Sequence, residues 1–447
     1  MPSHQLLIKE TAQLFEDLFP ICRSLTGDGV RMTMRRLQQI APFDIKEIRS
    51  GTVVYDWTIP DEWNVFGAVL ETENGEKVID FAENNLHLVN YSVAVDGIFS
   101  FEELRPHLHT LPACPDVIPY RTSYFTRDWG FCLSYNKWLS LDQTKRYRVK
   151  INTRLAPGAM TYAEAIFPGV SGKEYLLSSY CCHPSMANDN LSGMITWALL
   201  LRHIAGINRR HSYRFILSPE TLGTVAYLAL NKGEMAAVKG GYVLSCCAGP
   251  GKFGYKKSFA QLLSGELADI DRAALLALKE AEVDFIEFPF DLNGSDERQF
   301  SAPAWRIPTG TICKDKYSDF IQYHTSADNL DFVKPDALLQ ALHLYIRAID
   351  NLEQNDIFRS LMPFCEPMLR KRDLYPALGG LTPQQRSTHP VCEYTKKHER
   401  ELDALLWTMF FGDERHDLMA IAEKTGIPMS MVRAAVGKLA KVRLVDS

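Results

Sequence analysis

The pattern of apolar and polar positions changes character along the chain. Residues 4 to 20 carry Leu6, Leu7, Ala12, Leu14, Phe15 and Leu18 on or near one helical face, and 30 to 40 read as a second helix. From about 44 to 150, short alternating runs such as Thr52-Val-Val-Tyr-Asp-Trp and Asn90-Tyr-Ser-Val-Ala-Val stand between Gly, Pro and Asn, which predicts a β-rich unit. From about 150 to 352, continuous apolar runs alternate with helical patterns. Glu174-Tyr-Leu-Leu-Ser-Ser-Tyr precedes a helix over about 191–205, Tyr213 to Ser218 precedes one over about 222–230, and Gly241 to Cys247 follows. Strands apolar at every position are buried on both faces, as in the parallel sheet of an α/β domain with helices on both sides.

Pro363, Pro367 and the run Tyr375-Pro-Ala-Leu-Gly-Gly-Leu-Thr-Pro mark a linker. Beyond it, helices are predicted at about 398–411, 414–425 and 428–441, with Gly426-Ile-Pro as the last turn and Val442-Arg-Leu-Val at the end. Helix, turn, helix and a terminal apolar run make a winged-helix pattern.

A chain of 447 residues exceeds one core, so two or three domains are expected. Its net charge of -5 argues against a phosphate-binding surface as the main business of the molecule, so nucleic acid is not the default partner. The start lacks a basic segment followed by an apolar run, and no apolar stretch reaches the roughly 20 residues a bilayer requires. A cytoplasmic protein without membrane partners is the expectation. Ten cysteines include the adjacent pairs Cys181-Cys182 and Cys246-Cys247 inside apolar runs, which reads as buried free thiols rather than a disulfide framework.

Candidate chemistry gathers at the predicted strand ends. His183 and Asp189, in His183-Pro-Ser-Met-Ala-Asn-Asp189-Asn-Leu-Ser-Gly193, and His324, in Tyr323-His324-Thr-Ser-Ala-Asp328, supply two imidazoles and a carboxylate. That is the three-ligand count of a catalytic zinc site with one open position. Asp189 could equally be a helix cap and His183 a satisfied loop histidine. Glu220, after Pro219, is the natural general base, although a helix dipole alone also favours glutamate there. Asp296, Glu297 and Arg298 form a compact polar group that could assist catalysis or bind a charged substrate end, or simply make a solvated ion-paired loop. Tyr323 and Arg121 are candidate substrate contacts, with Tyr124 and Trp129 weaker candidates for the pocket wall.

Asp189-Asn-Leu-Ser-Gly, Glu220 followed by Thr-Leu-Gly, Ser295-Asp-Glu-Arg-Gln-Phe and His324-Thr-Ser-Ala-Asp together resemble the zinc aminopeptidases related to bacterial leucyl aminopeptidase and glutaminyl cyclase. Over nearly its full length the chain resembles aminopeptidase-like proteins encoded near bacterial surface-polysaccharide genes. The resemblance implies a zinc aminopeptidase-like α/β domain (1–43 and 150–360), an inserted β-sandwich (44–149) and a C-terminal winged helix (380–447). It also implies zinc on His183, Asp189 and His324, and Glu220 as catalytic base. Three positions depart from the two-zinc pattern: Thr221, Cys246 and Ser185 stand where that pattern has carboxylates. One zinc ion is therefore expected.

The preferred reading is hydrolysis of an amide or peptide bond beside a free amine, with a small peptide or aminoacyl amide as substrate. Two alternatives remain: acyl transfer or cyclisation in the same pocket, and a non-catalytic sensor that binds DNA through Arg433, Lys438, Lys441 and Arg443. Protein contacts or self-association are further roles open to the winged helix.

Overall fold

The computed structural model describes residues 3–375 and 393–446. It divides into two compact units, one of residues 1–271 with 284–345, the other of 272–283 with 346–447.

In the first unit the continuous apolar runs become the middle of an eight-stranded sheet. Its order is Asp44–Arg49, Ala159–Phe167, Ser212–Ser218, Glu174–Tyr180, Val238–Val243, Thr309–Lys314, Phe253–Lys256, Phe285–Phe288. Glu174–Tyr180 is buried at every position and lies parallel to both neighbours, Ser212–Ser218 and Val238–Val243. Parallel neighbours require crossovers, here the helices Gly193–Ala205 and Leu222–Leu230. The carboxyl ends of these three adjacent strands thus point the same way, and the loops that follow carry His183, Glu220 and Cys246. This is the edge at which open α/β sheets bind ligands.

The β-rich stretch forms a four-stranded antiparallel sheet, Lys77–Asp80, Glu62–Thr72, Arg146–Ala156 and Val95–Ser100, with two short pairs of strands. Where a sandwich was expected, the described residues thus form one larger sheet and two ribbons. Arg146–Ala156 alternates exposed and buried over most of its length, so Tyr147, Val149 and Ile151 face inward. They join a core that also holds Trp63, Ile216, Leu222 and Tyr227, so the insertion and the α/β sheet share a single compact unit.

The expected boundaries move. Asp44–Arg49 pairs with Ala159–Phe167 in the large sheet, whereas residues up to Ala156 remain in the insertion's sheet. The run Asn90-Tyr-Ser-Val-Ala-Val is largely irregular, with regular strand beginning only at Val95.

The second unit contains the helices Glu393–Phe410, Leu418–Thr425 and Met429–Lys441. Its three-stranded antiparallel sheet takes in Ile357–Ser360 as well as Asp413–Asp417 and Val445–Asp446, so the unit begins well before residue 380. The helix expected from 414 starts at Leu418, because Asp417 is extended and its side chain accepts the Ala420 N–H at 2.7 Å, a cap that fixes the start. Gly426, at φ 70°, ends that helix in the left-handed region. Most of the linker run from Tyr375 to Pro383 lies outside the described residues.

Candidate metal centre

His183 leaves the carboxyl end of Glu174–Tyr180, with its backbone carbonyl held by the fully buried Arg23 at 2.9 Å. Asp189 does not cap the helix Gly193–Ala205, whose N-cap is Ser192. It sits instead within a wide turn, Ala187–Ser192, ahead of Gly193–Ala205. Its Oδ1 accepts the Tyr180 hydroxyl at 2.6 Å, so a side chain of the preceding strand orients the carboxylate. Asp328 fixes the turn itself, accepting the N–H groups of Asn188 at 2.6 Å and Asp189 at 2.9 Å. Gly193 is required by space: a Cβ there would stand 2.1 Å from Asn190 Oδ1 and 2.4 Å from the Leu244 carbonyl.

His324 completes the group. The donor atoms of His183, Asp189 and His324 all lie within 4.8 Å of one another. Ligands about 2.1 Å from a tetrahedral zinc stand about 3.4 Å apart, so small movements would let the three share an ion. His324 Nε2 and Asp189 Oδ2 are 3.0 Å apart, yet neither buried atom has a hydrogen-bond partner. Buried polar atoms are normally satisfied. Two unsatisfied donor atoms turned toward one point fit a cation ligated by both.

Protonation fits as well. Burial, reinforced by His324 and Arg23 against the opposing pull of Asp189, lowers His183 to about 4, which leaves a neutral imidazole at neutral pH. Burial would raise Asp189, but His183, His324 and the Tyr180 hydroxyl hold it at about 2. Metal ligands must be in these deprotonated forms.

Glu220 follows Ser212–Ser218, and its Oε2 is 3.7 Å from His183 Nε2. Its side chain is about a quarter exposed, as a group meeting substrate requires. Burial of the carboxyl group, with Asp296 and Asp189 close by, pushes its pKa well above the ordinary carboxylate value. Cys182, His183 and Glu220 also bring donor atoms within 4.8 Å, with Cys182 Sγ accepting the Glu220 N–H at 3.3 Å. Cys246 is buried beyond the next strand and belongs to neither group of converging donors.

The Asp296 group separates by role. Asp296 is fully buried, raised to about 7 mainly by burial, and its Oδ1 accepts the Thr221 N–H at 2.7 Å, so it holds the backbone beside Glu220. Glu297 is buried against Lys256 at 3.0 Å and also accepts the Tyr317 hydroxyl. Arg298 is exposed and donates to Thr221 Oγ1 at 3.3 Å. Tyr323 stacks on His324 with ring centres 3.9 Å apart. Arg121 is exposed and its charge falls on His109 and Cys132.

Sequence reasoning passed over Tyr120, the neighbour of Arg121. Its ring centre lies 5.4 Å from that of His183 and 5.3 Å from that of His324. Its N–H donates to the His324 carbonyl at 2.9 Å, within a short antiparallel contact that pairs Pro119 with Thr325. The insertion thus reaches into the centre through one backbone pairing too short to leave a periodic signature.

This fold and site place the chain in the aminopeptidase-like α/β class. A zinc aminopeptidase from Bacillus subtilis superposes with a TM-score of 0.54 at 14% identity, over 78% of this chain and 94% of that one. Residues 12–355 match the family described as a domain of unknown function, DUF4910, to which this chain belongs, and residues 356–447 match a winged helix-turn-helix family. A relative from Clostridium acetobutylicum, named for polysaccharide biosynthesis and an aminopeptidase-like domain, is 39% identical over 436 residues, spanning 98% of this chain and 96% of the relative. A crystal structure from Clostridium acetobutylicum whose name describes a peptidase is 36% identical with a TM-score of 0.89, over 99% of this chain and 97% of that one. Among the described residues, no helix is long and apolar enough to cross a membrane.

Proposed function

We propose that the protein is a zinc-dependent hydrolase of an amide or peptide bond next to a free amino group, using one zinc ion on His183, Asp189 and His324. The observation that carries this reading is the convergence of three donors, two of them on buried residues and two without hydrogen-bond partners, beside a partly exposed glutamate. Bound zinc would supply a Lewis acid and lower the pKa of water to about 7.

The protein's own residues do the rest. Tyr180 and Asp328 hold the Asp189 carboxylate and its backbone in place. Asp296 fixes the turn after Glu220 through the Thr221 N–H. Glu220 takes a proton from the attacking water as the new C–O bond forms, and returns it to the leaving nitrogen as the C–N bond breaks. A carboxyl with a raised pKa suits both transfers, since its proton affinity lies nearer neutrality. The fold likeness to zinc aminopeptidases and the aminopeptidase-like name of the 39% identical relative agree with this reading.

The test is metal analysis of purified protein followed by product analysis with aminoacyl amides and short peptides. About one zinc per chain, and release of ammonia or an N-terminal amino acid, are expected. Cyclised or amine-transferred products would point to acyl transfer instead. Protein that takes up no divalent ion would end the proposal.

A further inference from the structure

His183 stands in a second group of donors as well as the first. Cys182 Sγ, a His183 ring nitrogen and a Glu220 carboxylate oxygen all lie within 4.8 Å of one another. Cys182 Sγ is 3.6 Å from His183 Nδ1, and His183 Nε2 is 3.7 Å from Glu220 Oε2. Zinc bonds of about 2.3 Å to sulfur and about 2.1 Å to nitrogen place the two donors about 3.5 Å apart in a tetrahedral site. The sulfur and Nδ1 already stand close to that separation. Cys182 and His183 are buried, whereas the Glu220 side chain reaches solvent, so the carboxylate is the member of the group that an ion from solvent meets first.

The donor set differs in kind from that of the first group. Thiolate, imidazole and carboxylate together favour zinc or cadmium over magnesium, calcium or manganese, which take oxygen ligands. Ser185, Thr221 and Cys246, the positions at which the two-zinc pattern has carboxylates, are not members of this group. The Glu220 N–H donates to Cys182 Sγ at 3.3 Å, a contact that favours the sulfur as thiolate. His183 has two ring nitrogens and so one for each ion. As the second ion binds, the Cys182 thiol and the His183 ring each release a proton to solvent. Two cations sharing one imidazole repel, so the second is held more weakly than the first.

We propose that Cys182, His183 and Glu220 form a second, inhibitory site for a thiophilic divalent cation, zinc beyond the catalytic equivalent or cadmium. An ion there holds the Glu220 carboxylate and removes it from proton transfer, so hydrolysis stops while the first zinc stays in place. The site itself stands on the geometry of the three donors; its inhibitory role rests on the amide-hydrolase reading above.

Protein loaded with one equivalent of zinc, in a non-thiol reductant, is titrated with cadmium and, separately, with further zinc. Cadmium should raise an ultraviolet thiolate-to-metal band in the native protein and in Cys246→Ser, and none in Cys182→Ser. A band that disappears with Cys246 instead, or no band in the native protein, would overturn the inference and leave the hydrolase intact. Aminoacyl-amide hydrolysis is read in each protein as the ratio of rates at one equivalent and at excess zinc. Native activity should fall to the level of Glu220→Gln. Loss of an outer partner alone typically weakens a metal site about 10- to 100-fold, so loss of the thiolate in Cys182→Ser should raise the zinc required for half-inhibition by about 100-fold or more. Equal zinc sensitivity in the native protein and Cys182→Ser would overturn the inference. Should Cys182→Ser not fold, manganese decides on the native protein: in excess it should leave the zinc-loaded protein active, and inhibition equal to that by zinc would exclude a thiolate site. A thiolate band without hydrolysis of any amide would overturn the hydrolase reading and the inhibitory role with it, and leave the cation site standing.

Discussion

Two buried polar clusters in the same compact unit handle charge in opposite ways. Around Arg214, burial is matched by partners: the guanidinium pairs with Glu174, with Glu164 at 3.4 Å and with Glu234 at 3.1 Å, while Tyr227 and Lys46 complete Glu164. Burial alone would raise Glu164, yet Lys46 and Tyr227 bring it below the ordinary value. At the His183–Asp189–His324 group, Asp189 Oδ2 and His324 Nε2 have no hydrogen-bond partner, and the nearby Glu220 is pushed up rather than down. A fold that satisfies one buried cluster and leaves another short reserves the second for something it binds.

The largest effects should come from the unsatisfied cluster. Glu220→Gln preserves shape and all three proposed ligands, so zinc content should hold while amide hydrolysis falls by about 10²- to 10⁴-fold, the range for loss of a general base. His324→Ala removes a donor, so bound zinc and activity should disappear together. Full activity in the glutamine variant would show that another group moves the proton. Zinc retained at native affinity in the alanine variant would show that His324 is not a ligand.

At the satisfied cluster the cost should appear in stability. Arg214→Met leaves Glu174 buried without its cation and Glu164 with Lys46 alone, and breaking such a buried pair typically costs about 3–5 kcal/mol. Denaturant unfolding of the variant should show that loss with zinc binding unchanged. A variant as stable as the native protein would mean that Lys46 and solvent can satisfy both glutamates, and the contrast between the clusters would weaken.

What the sequence disclosed follows the same division. His183, Asp189, His324 and Glu220 were legible because buried parallel strands put chemistry at their carboxyl ends, and each residue stands just past such a strand or in a loop rich in polar side chains. Their supports were not. Tyr180 reads as one more apolar residue of a buried strand, and Asp328 gives no sign that it accepts two backbone N–H groups 140 and 139 positions away. Tyr120 lies in the insertion, more than two hundred residues from His324. Arg121 stands out beside it in the sequence because guanidinium is the more familiar substrate contact, whereas the fold leaves Arg121 exposed and turns Tyr120 onto the histidines. Strand periodicity also could not mark the insertion's edges, since Asp44–Arg49 and Arg146–Ala156 look alike as strands and differ only in which sheet they join.

The smallest predicted effect sharpens the comparison through pH. Glu62 accepts two hydrogen bonds from Arg31, at 2.9 and 2.6 Å, and these, together with the Ala159 N–H against opposing burial, lower it to about 2. Its folded pKa lies below its unfolded value near 4.5, so the pair's stabilisation is complete above that value and is lost as pH falls toward 2. Glu62→Gln should therefore be less stable than native protein at pH 6, with the gap closing on acidification. Glu220 has the opposite sign: raised in the fold, its ionisation works against folding above pH 4.5 in metal-free protein, so Glu220→Gln should be the more stable form at pH 6. Denaturation midpoints of both variants between pH 6 and 3, measured with chelator present, test the pair of signs at once. Parallel curves would mean that both carboxyl groups meet the same environment, which the geometry of the two sites denies.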